Sequence, residues 1–266
     1  MKLKKRSKYS HKGQNGIVAV IGGSREYTGA VYLAAEAVAS MRLGIDLVYV
    51  LCPEKVAWAI NKLSPDLITV KLKGEHLDLK HYSIIKKYID KSYVMLLGNG
   101  ISKQNRTKKL VNKIIKNYKL KKKIVDADAL KMIKIQEIDN AILTPHHGEF
   151  DALLKNSKLN KSNYRKYLRN NVILLKGHED YIISKNKVMI IKGGNPGMTV
   201  GGTGDVLAGL CAGYAFLTDL FNAAVLASKL NKKIGDKLKK ELGNGLIASD
   251  FLKEISKSKD LNITMC

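Results

Sequence analysis

A glycine-rich loop runs into an apolar segment between Gly193 and Phe216, and one acid, Asp205, stands at the junction. The apolar spacing becomes helical from this acid onward. We therefore expect the amides of Gly202, Thr203 and Gly204 to lie at or just before a helix N-terminus. Free amides at the positive end of a helix dipole form a phosphate site. A branched side chain at Gly202 should block that site without unfolding the protein, because the loop buries little area.

Asp205 has two possible roles at this junction. As a simple N-cap it would stabilise the helix by about 1 kcal/mol. As a base beside bound phosphate it would remove the proton from a hydroxyl group that attacks the phosphoryl group. The loop alone does not decide between these two roles.

Strand-like and helix-like segments alternate along the rest of the chain. This alternation predicts a single βαβ-type domain over residues 1–266, with a basic N-terminal arm at 1–12. The predicted strands are 17–21, 45–50, 93–97, 124–125, 141–143 and 172–175, followed by a hairpin of 181–184 and 188–191. The predicted helices are 31–41, 56–63, 82–89, a Lys-rich helix after residue 103, 149–154, a helix from residue 205, 221–239 and 247–255.

Glycine or polar residues follow many of the predicted parallel strands. These residues are Gly22, Gly98, Asp126, Thr144 and Lys176. The carboxyl ends of parallel strands in an open doubly wound sheet share one edge, where ligands bind. We therefore expect a cleft at that edge that binds one or two large polar ligands.

The composition is that of a globular protein with a strongly basic surface. The chain has 266 residues, of which 45% are hydrophobic, and its formal net charge is +24. The lysine-rich stretches 103–123 and 229–240 are expected to form the outer faces of amphipathic helices. Nucleic-acid binding is disfavoured because no helix-turn-helix or zinc-finger pattern occurs, and only four Phe and one Trp are available for stacking. We expect the charge to attract polyphosphate ligands instead.

The cysteines and the apolar segments predict a cytoplasmic protein without a membrane partner. The three cysteines, Cys52, Cys211 and Cys266, lie far apart and show no metal-ligand spacing. The apolar run at 17–21 is too short for a signal peptide. The apolar segment 206–217 should be a buried helix, because polar residues follow it at once.

Several longer motifs occur together in a definite order. They are GGSREYTGA at 22–30, DADAL at 126–130, LTPHHGEF at 143–150, LLKG at 174–177 and NPGMTVGGTGDVLAG at 195–209. In this combination the chain resembles the ADP/ATP-dependent NAD(P)H-hydrate dehydratase family. The resemblance implies a ribokinase-like α/β fold, which has three α/β/α layers, a mostly parallel sheet and a β-hairpin near the nucleotide site.

The family's chemistry is repair of damaged nicotinamide cofactor. The hydroxyl at C6 of the S-epimer of NAD(P)H-hydrate is phosphorylated by ADP or ATP, and phosphate is then eliminated. The resemblance also implies Mg²⁺, a separate NAD(P)H-hydrate epimerase acting in the same pathway, and a homo-oligomer. Only a short basic arm precedes the first predicted strand, so we expect no epimerase domain in this chain.

The resemblance assigns roles to individual residues. Asp205 would be the base, and it would also contact the hydrate. The remaining substrate positions would be Ala30, Gly100 and His146. The nucleotide-binding residues would be Lys176, Gly177, His178, Glu179, Asp180, Gly202, Thr203 and Gly204. Glu149 stands where ribokinase-like enzymes place the acid that holds Mg²⁺ through water.

Some of these residues have simpler alternatives. His146 could cap the helix after Pro145, and Glu149 could favour a helix N-terminus through its charge. Asp126 could merely order the loop after its strand. The segment 98–102 reads GNGIS where the family usually has GPGLG, so this loop could bind its ligand differently.

Two other functions remain open at this point. A ribokinase-like kinase of a hydroxymethylpyrimidine or thiazole alcohol would use the same base and phosphate site but would stop at the phosphorylated product. A protein with a decayed site would bind nucleotide without catalysis. The sequence does not distinguish ADP from ATP as donor, or NADH-hydrate from NADPH-hydrate as substrate.

Overall fold

The computed structural model describes residues 7–258, so half of the predicted basic arm and Cys266 lie outside the described residues. Within this range the strands form one nine-stranded sheet of order β3-β2-β1-β4-β5-β6-β7-β8-β9. The strands are β1 Ile17–Ile21, β2 Leu47–Pro53, β3 Ile68–Leu72, β4 Val94–Leu97, β5 Lys122–Val125, β6 Ala141–Leu143, β7 Val172–Leu175, β8 Asp180–Ile183 and β9 Val188–Ile191.

The sheet is parallel from β3 to β7 and antiparallel through the β8–β9 hairpin. This arrangement confirms the prediction of a mostly parallel sheet that ends in a hairpin. The helices are α1 Thr28–Ser40, α2 Glu54–Leu63, α3 Tyr82–Lys91, α4 Asn105–Asn117, α5 His147–Ser157, α6 Thr203–Leu217, α7 Leu220–Leu242 and α8 Ala248–Lys257.

Side chains that alternate along the strands divide the core into two layers. On β1, Val18 and Val20 pack with α1, α6, α7 and α8 on one face of the sheet. Ala19 and Ile21 pack with α3, α4 and α5 on the other face. Since helices cover both faces at the centre of the sheet, β1, β4, β6 and β7 are continuous apolar runs, as expected for parallel strands.

The helix α6 lies close to α1. A Cβ atom at Gly209 would come within 2.3 Å of the Ala34 carbonyl oxygen, so only glycine permits this separation of the two helices. The segment 206–217 is a mostly buried helix, as predicted. No helix in the described residues combines the length and apolarity that a membrane crossing requires.

One strand was not predicted, and the predicted bounds of several others were shifted. The sequence did not predict β3, in which Thr69 and Lys71 interrupt the apolar pattern. This strand lies at the edge of the sheet, where only Val70 and Leu72 are buried, so it lacks the continuous apolar run of a central strand. The strand β2 begins two residues after the predicted start and runs on to Pro53, which pairs with Leu72 of β3.

The lysine-rich stretches 103–123 and 229–240 were predicted to form outer helix faces, but each contains one buried lysine. Lys123 on β5 is fully buried, and its ammonium donates to the backbone carbonyls of Lys119 and Asp139. Burial lowers the pKa of Lys123 to about 8. Lys232 on α7 is also buried. Each of these ammonium groups is stabilised by backbone carbonyl oxygens, which replace the water lost on burial.

Candidate active site

The residues that follow the parallel strands meet at one edge of the sheet, as the sequence predicts. After β5, the buried carboxylate of Asp126 accepts a hydrogen bond from Thr144 Oγ1 at 2.7 Å. Lys176 Nζ and Asn99 Nδ2 donate to the same carboxylate at 3.0 and 2.9 Å. We call Asn99, Asp126, Thr144 and Lys176 the strand-end cluster. Asp126 does more than order a loop, because it joins the ends of β4, β6 and β7.

Lys176 brings a positive charge to this edge. Burial opposes the charged form, but the carboxylates of Asp126, Glu149 and Asp205 outweigh it and raise the pKa of Lys176. Its ammonium therefore stays charged at neutral pH. It also lies 3.3 Å from the position that a Cβ atom would occupy on Gly204, at the start of α6. An ammonium next to a helix N-terminus forms an anion site that suits a phosphoryl group.

Asp205 lies in the first turn of α6 and faces the strand-end cluster. The N-cap of this helix is Gly202, so the structure rules out the N-cap role for Asp205. Asn99 Nδ2 donates to Asp205 Oδ1 at 2.7 Å. Burial and the charge of Asp126 raise the pKa of Asp205 to about 7, while Asn99 and Lys176 partly offset that rise. A carboxylate with a pKa near neutrality is well suited to accept a proton.

The loop before α6 is held by its own hydrogen bonds. Gly202 has a φ of +97°, and Thr203 Oγ1 donates to the carbonyls of Met198 and Val200 at 2.8 and 3.0 Å. A Cβ atom at Gly202 would lie 2.6 Å from Leu33 Cδ1 and also clash with α8. The expectation that a branched residue at Gly202 would leave the fold unchanged is therefore contradicted, while its effect on turnover stays a prediction. Such a side chain would enter the packed interior and disturb the fold, rather than block phosphate.

A cavity of about 550 Å³ adjoins Lys176 and the start of α6. Predicted residues that line it are His146, Lys176, Gly177, His178, Asp180, Thr203 and Gly204. Other lining residues lie in the glycine-rich loop and its helix but had no assigned role, namely Gly194, Asn195, Pro196, Met198, Thr199 and Leu207. The sequence did not indicate Asn231 and Lys232 of α7, which also line the cavity. Glu179 and Gly202, which were predicted to bind nucleotide, do not line the cavity. The space suits a nucleotide whose phosphates point toward α6.

Lys232 connects the walls of this cavity. Its ammonium donates to the carbonyl oxygens of His178 and Gly193 at 2.9 and 3.0 Å, and to that of Gly177 at 3.3 Å. The carboxylate of Asp180 lies 3.6 Å away. The sequence could not single out Lys232, since it is one lysine in a lysine-rich helix. Its position holds the turn before β8 against the loop after β9.

Ala30 and Gly100, which the resemblance assigns to the hydrate, lie next to each other. Gly100 has a φ of +67°, and a Cβ atom there would be 3.2 Å from Ala30 Cβ and 2.6 Å from the Tyr27 carbonyl oxygen. The loop after β4 therefore packs directly against the first turn of α1. Their contact with substrate stays a prediction.

His146 caps α5, which confirms the simpler of the two roles that the sequence suggested for it. Its Nδ1 accepts hydrogen bonds from the amides of Gly148 and Glu149 at 3.1 and 3.4 Å. The ring is more than half exposed and lines the cavity, so the cap leaves it accessible to a ligand. A role in hydrate binding stays a prediction.

Glu149 is buried, and its Oε2 accepts from the His146 amide at 3.1 Å and lies 4.0 Å from Lys176 Nζ. The structure thus supports the helix-terminus alternative directly. No group of three or more acidic, His or Cys side chains that could hold a metal occurs among residues 7–258. A Mg²⁺ ion bound mainly by phosphates and waters needs only one or two carboxylates, so Glu149 fits an outer contact through water.

The architecture is that of the ribokinase-like fold. A ribokinase-like superfamily protein of Enterococcus faecalis matches with a TM-score of 0.81 and 23% identity, over 96% of this chain and 90% of that one. The ADP/ATP-dependent NAD(P)H-hydrate dehydratase of Bacillus subtilis, co-crystallised with ATP and Mg²⁺, matches with a TM-score of 0.73 and 22% identity, over 95% and 93% of the two chains.

Sequence comparison identifies the family. Residues 18–257 match the family model described as NAD(P)H-hydrate dehydratase. The ADP-dependent (S)-NAD(P)H-hydrate dehydratase of Nitrosopumilus maritimus is 33% identical, with 94% of this chain and 91% of that protein covered. The bifunctional NAD(P)H-hydrate repair enzyme of Methanothermobacter thermautotrophicus is 36% identical, and the chain spans 53% of its length. The chain belongs to the NAD(P)H-hydrate dehydratase family.

Proposed function

We propose that this protein repairs nicotinamide cofactor by dehydrating the S-epimer of NAD(P)H-hydrate to NAD(P)H, with ADP or ATP as phosphoryl donor. The observation that carries this proposal is the position of Asp205. Its carboxylate has a pKa near 7 and lies at a helix N-terminus, next to Lys176 and a nucleotide-sized cavity. The names of the relatives from Nitrosopumilus and Bacillus support the choice of reaction.

In the first step Asp205 accepts the proton of the C6 hydroxyl as the oxygen attacks the terminal phosphorus. An O–P bond forms to the substrate, the O–P bond to the nucleotide breaks, and AMP leaves when ADP is the donor, or ADP when ATP is. Negative charge develops on the transferring group. Lys176 and the amides of Thr203 and Gly204 stabilise this charge, since they surround the anion site.

In the second step the C6–O bond breaks and phosphate leaves with the bonding electrons. A proton then passes from C5 to the released phosphate or to water, and the C–H electrons form the C5–C6 double bond of the reduced ring. The two steps together remove the elements of water from the hydrate. Phosphorylation is useful because phosphate leaves far more readily than hydroxide.

Mg²⁺ would neutralise charge on the nucleotide phosphates when bound. Glu149 would hold it through a water molecule, at the end of the cavity nearest Lys176. The geometry supports this role, because Glu149 Oε1 makes no hydrogen bond within the described residues and is available to a metal-bound water.

We also propose the protein's setting. An NAD(P)H-hydrate epimerase activity would supply the S-epimer, in keeping with the bifunctional relatives. A reducing compartment, the cytoplasm, suits the free thiols of Cys52 and Cys211. One continuous sheet supports a single catalytic domain, which we expect to act as a homo-oligomer.

The test is recovery of the reduced-nicotinamide absorbance from the S-hydrate with Mg²⁺, with ADP and ATP in parallel. Wild type should restore the absorbance with at least one donor, and the nucleotide product identifies which. Asp205→Asn keeps the shape of the side chain but removes the proton acceptor, so turnover should fall at least about 100-fold with little change in nucleotide affinity.

Two results would contradict the proposal. If Asp205→Asn keeps wild-type turnover, Asp205 is not the base. If wild type phosphorylates a hydroxymethylpyrimidine or thiazole alcohol and restores no absorbance from the hydrate, the protein is a kinase of a small alcohol.

A further inference from the structure

Asn99 lies fully buried directly after β4, at the centre of the strand-end cluster. Its backbone carbonyl accepts a hydrogen bond from the Gly23 amide at 2.8 Å, which fixes this backbone against the loop after β1. Its side-chain nitrogen donates to Asp126 Oδ2 at 2.9 Å and to Asp205 Oδ1 at 2.7 Å. A primary amide has two N–H groups, so both are committed to carboxylates.

The identity of the donating atom follows from its partners. Two carboxylate oxygens lie within 2.9 Å of it, and an amide oxygen would be repelled by both. The amide oxygen of Asn99, in contrast, is buried without a hydrogen-bond partner. An unpaired buried oxygen destabilises the folded state, so this side chain is not explained by packing alone. The two hydrogen bonds that its side-chain nitrogen donates are therefore the reason we look for a role of Asn99 in the site.

The amide makes the two oxygens of Asp205 different. Oδ1 is held by Asn99, and Oδ2 makes no hydrogen bond within the described residues. Proton transfer requires an acceptor atom with a fixed direction and an available lone pair. The Asn99 contact provides the fixed direction and leaves Oδ2 available.

We propose that Asn99 is the positioning residue of the base: its amide holds Asp205 by one oxygen, aims the other at the substrate hydroxyl, and connects the base through Asp126 to the phosphate-binding Lys176. This inference rests on the proposed function, in which Asp205 accepts the hydroxyl proton. Asn99 itself acts only through Asp205.

The charges around Asp205 determine how Asn99 affects its proton affinity. Asp126 after β5 and Glu149 on α5 disfavour the carboxylate, as does burial, whereas Lys176 after β7 and the Asn99 hydrogen bond favour it. Without this hydrogen bond, less would counteract the effect of burial on the carboxylate of Asp205. The pKa of Asp205 should then rise further above its value of about 7.

Asn99→Leu tests the inference, because leucine has a similar size but no donor. We expect the acidic limb of the kcat profile to move up by about one pH unit, since charge-assisted hydrogen bonds have roughly that effect. At pH 7 kcat should fall by about tenfold or more, with the KM for nucleotide changed less than about twofold. Asn99→Asp should lose more activity at high pH and recover part of it at low pH, where its protonated carboxyl group can donate.

A measurement without substrate separates this inference from the proposed function. Carboxyl ¹³C NMR titration gives the pKa of Asp205, with Asp205→Asn used to assign its signal. A higher pKa in Asn99→Leu than in wild type supports the inference, even if the hydrate proves not to be the substrate. An equal pKa in the two proteins, or an unchanged kcat profile, overturns it. If Asn99→Leu does not fold, Asn99→Ser serves instead, since its hydroxyl can donate to only one carboxylate.

Discussion

Asp205 and Asp126 lie in one buried site, and like charges in such a site disfavour each other. The folded protein therefore binds a proton at Asp205 more tightly than the unfolded chain does. Between about pH 4 and pH 7 the folded state carries more protons at this position. Stability consequently falls as pH rises through this window, because ionised Asp205 is disfavoured in the fold.

We predict that Asp205→Asn stabilises the protein above pH 7. The substitution removes a buried charge and keeps an oxygen for the Asn99 hydrogen bond. The gain should be up to about 4 kcal/mol, from a pKa difference of roughly three units. It should vanish below about pH 4, where Asp205 is protonated in both states. Urea unfolding of both proteins at pH 4 and pH 8 measures it.

The decisive observation is how the difference in unfolding free energy between Asp205→Asn and wild type depends on pH. A gain of equal size at pH 4 and pH 8 would mean that the substitution acts through packing. A loss of stability at pH 8 would show that the pKa of Asp205 is not raised in the folded protein.

The contact between Asn99 and Asp205 marks the limit of prediction from sequence at this scale. The GNGIS segment could be recognised as a departure from the family pattern, but not as a support for the base. The two residues are 106 positions apart, and only the packing of β4 against α6 brings them together. Local patterns predict which residues are polar and where strands end, but not which distant partners they meet.

At the scale of elements, the bounds of a strand were predicted correctly where a local sequence pattern alone determined them. The strands β1, β6, β7 and β9 begin and end where the sequence predicts, because each is a short apolar run bounded by polar or glycine residues. The strand β3 was missed because one of its faces is exposed. Residues of the cavity wall were predicted before α5, between β7 and β8 and at the start of α6, but not on α7. Those on α7 come from a helix whose inward face has no distinctive composition.

The N-terminus of α6 supports a prediction about glycine. Gly204→Ala places a methyl group 3.3 Å from Lys176 Nζ, on the side where phosphate should bind. Alanine is compatible with the helix, so the unliganded protein should unfold at or above the wild-type temperature. Nucleotide at about a hundred times Kd should stabilise wild type by roughly 2.7 kcal/mol and Gly204→Ala by much less. Thermal unfolding with and without ADP or ATP provides the measurement.

Gly201→Ala is the matched control. Gly201 is exposed, and a Cβ atom there would have no neighbour within 4 Å. This variant should respond to nucleotide like wild type. A full nucleotide-induced shift in Gly204→Ala would show that the start of α6 does not hold phosphate.

At the scale of the whole molecule, the formal charge of +24 overstates the free positive surface. Lys123 and Lys232 are buried against backbone carbonyls, and they hold structure together rather than attract ligands. The remaining exposed lysines still produce a positive field. Such a field should raise the local concentration of polyphosphate ligands and shorten their search for the cavity.

We predict moderate salt dependence of nucleotide binding. Raising salt from low to physiological concentration should weaken ADP or ATP binding by about twofold to fivefold, because screening acts on the exposed charges and less on the buried site. Binding to duplex DNA should be weak and independent of sequence. Calorimetric titrations at several salt concentrations, with DNA as a second ligand, measure both effects. Tight DNA or RNA binding that persists at physiological salt would instead favour a nucleic-acid function.

The shared carboxylate of Asp126 has a consequence for how substitutions in this protein combine. Asn99, Thr144 and Lys176 follow three different strands, yet all three donate to that one group. Substitutions at these positions therefore cannot have independent effects, since each alters what the others bind. The strand-end cluster is thus an epistatic unit: the effect of any one substitution in it depends on which residues occupy its other positions.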